Sequence, residues 1–208
     1  MKFNTCTMTT FFKWVSGILH PLLLPLIGTL LFFKAGVYGL YPLNYKLYVI
    51  SLVFLTTGIL PAVAIWLLRQ QGVVADLDVS IRSQRIWPYT IIFLAYLATI
   101  LLLLRVAIPW SIVKLYLGSL FSIVMAFLIT LKWKISAHTM SFGCLAAGIV
   151  IVCLQQQLNP TLLLSVCFLL AGLQASSRLY LKAHTTAQAA SGFLLGVASV
   201  CSVYYLIP

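Results

Sequence analysis

Residues 88–104, PYTIIFLAYLATILLLL, and residues 110–131, WSIVKLYLGSLFSIVMAFLITL, are two long apolar runs divided only by the turn Arg105–Pro109, and Lys114 is the one charge within them. A hydrocarbon core near 30 Å is crossed by about 20 apolar residues in a helix. With no water there to satisfy the backbone, a helix is the form that meets its own hydrogen bonds. Both runs therefore read as membrane-crossing helices joined by a tight turn. Working outward, comparable windows cover Phe11 to Phe33, Leu47 to Leu68, Met140 to Leu154, Thr161 to Leu173 or a little beyond, and Ala187 to Leu206. The expected fold is an all-α integral membrane protein, a bundle of about six to seven transmembrane helices forming a single domain over residues 1–208.

Composition agrees. The chain is 62% hydrophobic and 7% charged, whereas soluble domains are about 45–50% apolar and about 25% charged. A soluble globular protein is excluded, and any chemistry must sit in short loops and helix ends. The segment after Lys13 is long, holds His20, Pro21 and Pro25, and lacks a small-residue cleavage site, so it reads as a first span and not as a removed signal. The five cysteines lie mostly in apolar runs without metal-ligand spacing and read as small apolar packers.

Thirteen Lys and Arg face two acids, Asp76 and Asp78, for a formal charge of +11. Nucleic acid fits poorly as the counterpart, because the basic residues are scattered between apolar spans. Membrane lipid and a phosphorylated lipid substrate fit better. Each span moves the chain to the opposite face, so the N-terminus and the connectors Arg69–Trp87, Lys132–His138 and Ser177–Gln188 all fall on one side. Five Lys and Arg besides Arg69 and Lys132, together with two of the three histidines, gather there.

Two strings in those connectors carry the chemistry. They are Lys134-Ile135-Ser136-Ala137-His138, and Ser177-Arg178 followed by five residues, His184 and then Gln188. Ionisable groups at a bilayer boundary are costly unless they face a cavity or a partner. Phosphoryl transfer needs positive charge around the equatorial oxygens, an in-line nucleophile and a proton for the leaving oxygen. Arginine supplies a bidentate clamp, one histidine attacks and another protonates. Two aspartates two residues apart and no glutamate do not build the carboxylate cages that Mg²⁺ or paired metals use. Neither metal nor other cofactor is expected.

The two strings resemble the second and third motifs of the type 2 phosphatidic acid phosphatase superfamily, membrane enzymes that hydrolyse lipid phosphates and diphosphates through a phosphohistidine without metal. Its Pro-Ser-Gly-His pattern reads here as Ile135-Ser136-Ala137-His138. Its Ser-Arg, five residues, His, three residues, Asp pattern reads as Ser177, Arg178, His184 and Gln188. The motif-bearing region is about residues 78–192. The resemblance implies His184 as nucleophile, His138 as general acid, and Arg178 with Ser136 and Ser177 on the phosphate. The first motif, Lys, six residues, Arg-Pro, is eroded: Arg85 matches its Arg, Pro88 comes three residues later, and Asp78 stands where Lys is expected. Arg82, Lys134 or Lys182 would supply the missing cation.

The second departure is Gln188. The family's Asp orients the nucleophilic imidazole and stabilises its cation; a Gln amide oxygen can do only the first. His184 and Gln188 share a helix face, with Gly192 and Gly196 further along it to admit a close neighbour. The expected function is a membrane phosphatase of lipid phosphates or diphosphates. The alternatives are a weak or inactive relative that binds phosphorylated lipid or serves as an assembly subunit, and, third, a transporter. His20 reads as a packed or pore-facing core histidine, with a place in the site left open. The aspartates read as partners of Arg82 or Arg85. Basic residues favour the active face being inside, but four of them are also phosphate candidates, so the face stays open. A bacterial inner membrane is the expected location, with the oligomer unassigned.

Overall fold

The structure, a computed structural model, describes residues 5–76, 79 and 81–208. Asp78 lies outside the described residues. Among those described there are nine α-helices and no strand: α1 (Thr5–Ile18), α2 (Leu24–Phe32), α3 (Leu43–Val53), α4 (Leu60–Gln70), α5 (Ile86–Arg105), α6 (Trp110–Thr130), α7 (Ala137–Gln155), α8 (Thr161–Tyr180) and α9 (Thr186–Leu206). They build seven helical segments long and apolar enough to cross a membrane, so the chain is an all-α membrane bundle. Outward residues such as Leu162, Leu169 and Leu206 are exposed and apolar, the arrangement expected where lipid is the solvent.

Prolines break the first two spans. His20, preceding Pro21, takes an extended backbone (φ −67°, ψ 139°) and its Nδ1 accepts from the Leu22 N–H at 3.3 Å, capping the 3₁₀ turn Pro21–Leu23 between α1 and α2. The second span passes from α3 to α4 through a π-helical turn, Phe54–Ile59, ahead of Pro61, which has no N–H to continue the α ladder. This turn packs on the His20 turn.

The bundle has two chemically distinct ends. At one, Val37 N donates to Gln156 Oε1 (3.0 Å), Tyr45 to the Val106 carbonyl (3.2 Å) and Lys114 to the Ile207 carbonyl (2.6 Å). The other gathers the entries to α5, α7 and α9 and the end of α8. At its centre α7 and α9 approach backbone to backbone. A Cβ at Gly143 would strike the Phe193 carbonyl, and one at Gly196 the Met140 carbonyl. Small residues permit this approach, which aligns the two helices that flank the site.

Two boundaries differ from the hydropathy reading. Ser177 and Arg178 are not in a connector; the sixth span runs on to Tyr180 and holds both in its last turn. His138 is likewise the second residue of α7. Window averages fall where polar residues appear, whereas a helix continues as long as those residues are buried against neighbours that satisfy them.

Candidate functional site

The chain reverses between α8 and α9 in five residues. Lys182, at φ 53°, takes the left-handed conformation that closes a helix, and Ala183 N donates back to the Arg178 carbonyl at 2.9 Å. The reversal leaves His184 buried just ahead of Thr185, the N-cap of α9. A capping box follows: Gln188 N donates to Thr185 Oγ1 (3.4 Å), and Thr185 N to Gln188 Oε1 (3.2 Å). The same amide oxygen lies 3.1 Å from His184 Nδ1. An amide oxygen only accepts, so Nδ1 carries the proton and the Nε2 lone pair is left for chemistry.

Ser136 N donates to the Gln188 carbonyl at 3.3 Å, so the second string is bonded directly to the third. Ser136 caps α7, its Oγ accepting from Thr139 N at 3.4 Å. Its hydroxyl proton remains available to an acceptor in the site. Two helix N-termini, those of α7 and α9, thus open at the same place, and each favours negative charge.

Buried cations surround this point. Arg85 is 6% exposed; its Nε donates to the Val79 carbonyl (3.0 Å) and its Nη1 to the Ile135 carbonyl (2.9 Å), so it spans the entries to α5 and α7. Arg178 is 1% exposed and its Nη1 donates to Ser16 Oγ at 2.7 Å. His138 is 5% exposed, lies within electrostatic reach of Arg178, His20, His184 and Arg85, and its Nε2 makes no hydrogen bond among the described residues. Burial pushes the His184 imidazole down to about 3, and Arg85 and Lys134 push the same way against the Gln188 hydrogen bond. Burial, then Arg85 and Arg178, also lower the half-buried Lys134 amine, with Asp76 opposing.

The remaining expected residues take different places. Ser177 Oγ donates to the Phe12 carbonyl at 2.7 Å, clasping α1 to α8. Arg82 is exposed and its Nη1 donates to the Leu131 carbonyl at 3.0 Å. Asp76 lies within electrostatic reach of Arg85 and Lys134. Among the described residues no three His, Cys, Asp or Glu side chains gather so as to hold a metal ion.

Two participants were not assigned to the site from sequence. His20 stands edge-on to His138, ring centroids 5.3 Å apart and planes at 80°. The His20-Pro21 pair inside an apolar span was its signal, since an intramembrane histidine at a helix break faces something polar. Ser16, the Arg178 partner, is an ordinary serine in α1 and carried no signal. Compared with known proteins, the chain matches no family model, no curated protein and no solved structure.

Proposed function

We propose that this chain is a membrane-embedded phosphatase that hydrolyses a lipid phosphate or diphosphate through a phosphohistidine, without metal, in a bacterial inner membrane. One observation carries the reading. Arg85, Arg178, His138 and His184 are buried together, with Lys134 half-buried beside them, in a chain with only two acids. Buried positive charge in such excess calls for an anion, and an imidazole held by Gln188 through Nδ1, with its Nε2 lone pair outside that contact, calls for one that can be attacked.

In this reading the phosphate sits between the two arginines and the N-termini of α7 and α9. His184 Nε2 attacks phosphorus, the bond to the leaving oxygen breaks, and His138 delivers a proton to that oxygen. The bound dianion offsets the surrounding cations and so lets His138 hold its proton until then. His138 next takes a proton from water, whose oxygen attacks the phosphohistidine and releases phosphate. The resemblance to the type 2 phosphatidic acid phosphatases supports the same roles. A second reading, lipid-phosphate binding without turnover, is favoured by Gln188, because an uncharged amide cannot stabilise the cationic phosphoimidazole, and by the eroded first motif, where Asp78 stands in place of Lys.

Purified protein is expected to release phosphate from at least one member of a panel of polyprenyl diphosphate, phosphatidate, phosphatidylglycerophosphate and lipid A phosphates, with chelator present. Binding of these lipids with no release would leave the second reading standing. Activity restored by added divalent metal, and absent without it, would overturn the metal-free mechanism.

The depressed His184 imidazole sets a pH dependence. The free site holds a neutral, nucleophilic ring at every pH above about 3, so the limb of kcat/KM due to His184 falls well below the 6.5 of an unperturbed histidine. The folded state also loses stability as pH falls from 6.5 towards 3, because the unfolded chain takes up the proton first. Gln188→Asp places a carboxylate against Nδ1 and should raise the imidazole pKa and speed turnover. Titration of the His184 ring by NMR checks the first, and steady-state rates the second.

A further inference from the structure

A cavity of about 180 Å³ opens beside His20 and Ala137 and runs along α7 between α2, α5 and α6 as far as Cys153 and Ala35. From Ala137 to Cys153 the rise of α7 is about 24 Å, more than the roughly 15 Å that one leaflet of a 30 Å core provides. One end of it lies against the cationic cluster, since His20 on its wall stands edge-on to His138.

Four of the hydroxyls on the wall are engaged with the protein itself, whereas the Tyr89 hydroxyl, also on the wall, makes no hydrogen bond among the described residues. Thr29 donates to the Pro25 carbonyl (2.7 Å) and shares a hydrogen bond with Tyr116 (2.7 Å), Ser119 donates to the Leu115 carbonyl (3.0 Å), and Ser122 to the Ser119 carbonyl (2.7 Å). What faces the space is therefore mostly hydrocarbon, and a polar occupant would lose its own hydrogen bonds there. Two glycines, Gly28 of α2 and Gly148 of α7, line the cavity. A Cβ on either meets only a leucine methyl, at 3.6 and 3.8 Å.

We infer that this cavity is a measuring pocket for one extended hydrocarbon chain of a phosphate-headed lipid, admitting the chain past the bilayer midplane and stopping it near Cys153. The inference rests on the phosphatase reading for the headgroup and on the cavity for the chain. An extended alkyl chain advances about 1.25 Å per carbon–carbon bond, so the pocket accepts roughly 19 bonds. Cys144, about 10 Å below Ala137 along α7, is reached by a chain of roughly eight bonds. Cys144 and Cys153 both line the cavity as free thiols, so the wall carries its own depth gauge.

The test uses the full chain in nanodiscs with n-alkyl phosphates from octyl to eicosyl. Alkylation of each cysteine by a small maleimide is followed by mass spectrometry, with the non-lining Cys201 as internal control. At ligand about tenfold above its Kd, labelling of a covered thiol should slow about tenfold. Octyl phosphate is expected to protect Cys144 only, and octadecyl phosphate both Cys144 and Cys153. Gly148→Leu, placed between the two, should keep protection of Cys144 and lose that of Cys153; Gly28→Leu on α2 should act alike, and Gly172→Leu, with open space around it, should change nothing.

Protection independent of chain length, protection by n-alkanols equal to that by the phosphates, or a Cys153 that never labels without ligand would each overturn the pocket. Phosphate release is read in the same samples. Length-dependent protection, with no release from these phosphates or from any member of the lipid panel above, leaves the pocket standing and removes the enzymatic reading. Release with no length dependence, unmoved by Gly148→Leu, does the reverse.

Discussion

On the proposed mechanism, replacing His184 with alanine is expected to abolish phosphate release, a fall of at least about a thousandfold, because it removes the ring assigned to take the phosphoryl group. His184 Nδ1 is held by Gln188 Oε1 at 3.1 Å, and that oxygen is itself fixed by the Thr185 N–H. The capping box thus sets the imidazole tautomer before any substrate arrives. Loss of the ring leaves Arg85, Arg178 and Ser136 in place, so the variant should still bind lipid phosphate, and incubation with a ³²P-labelled substrate should label wild type and not the variant. Wild-type rates in His184→Ala would remove the phosphohistidine mechanism. Retained activity in His138→Ala with a good leaving group, and loss with a poor one, would assign the proton to His138.

Gly196→Leu should collapse the bundle at its tightest crossing. A Cβ at Gly196 meets the Met140 carbonyl and the Cys144 N–H, both main chain of α7, so rotamer changes offer no relief. Overpacking a core usually costs about 1–3 kcal/mol because side chains can shift. Here α7 and α9 must move apart, and a cost beyond that range is expected, read as a large fall in the unfolding midpoint or in yield of folded protein. Gly192→Ala is the milder version. Its Cβ falls 2.5 Å from the Ser136 carbonyl and 2.6 Å from Thr139 Oγ1, next to the Ser136 to Gln188 hydrogen bond that joins the two motif strings. It should therefore lower activity more than stability. Gly172→Ala, facing open space on α8, is the control and should leave both unchanged.

Much of the layout was readable from residue order. Apolar windows place the seven spans, and alternation of faces places His138, Arg178 and His184 at one end, because a helix of fixed rise must emerge on the side opposite its entry. The spacing of Ser177, Arg178, His184 and Gln188 also says which side chains share the turn. It does not say where each one points. Ser177 and Arg178 have the same motif standing, yet the serine clasps the Phe12 carbonyl while the arginine reaches Ser16 and the histidine cluster. A difference of about 100° around a helix separates those fates, and only the neighbours of α8 settle which direction faces α1.

The proline breaks at Pro21 and Pro61, the cap at Ser136 and the Thr185 to Gln188 box rest on partners within a few residues, yet none of them was singled out from the sequence. Pairings across the chain are not local at all, since apolar helices in lipid are chemically alike and their order around the bundle is set by which surfaces fit. The approach of Gly143 to Phe193, the stacking of His20 on His138 and the long cavity beside α7 all belong to that fit. Residue order therefore decided that this chain crosses a membrane and carries most of its Lys and Arg, with His138 and His184, to one lip of it. Packing decided that Arg85, Arg178 and these two histidines are buried around a single point with a hydrocarbon-lined channel beneath, because burial and charge excess are properties of neighbours in space.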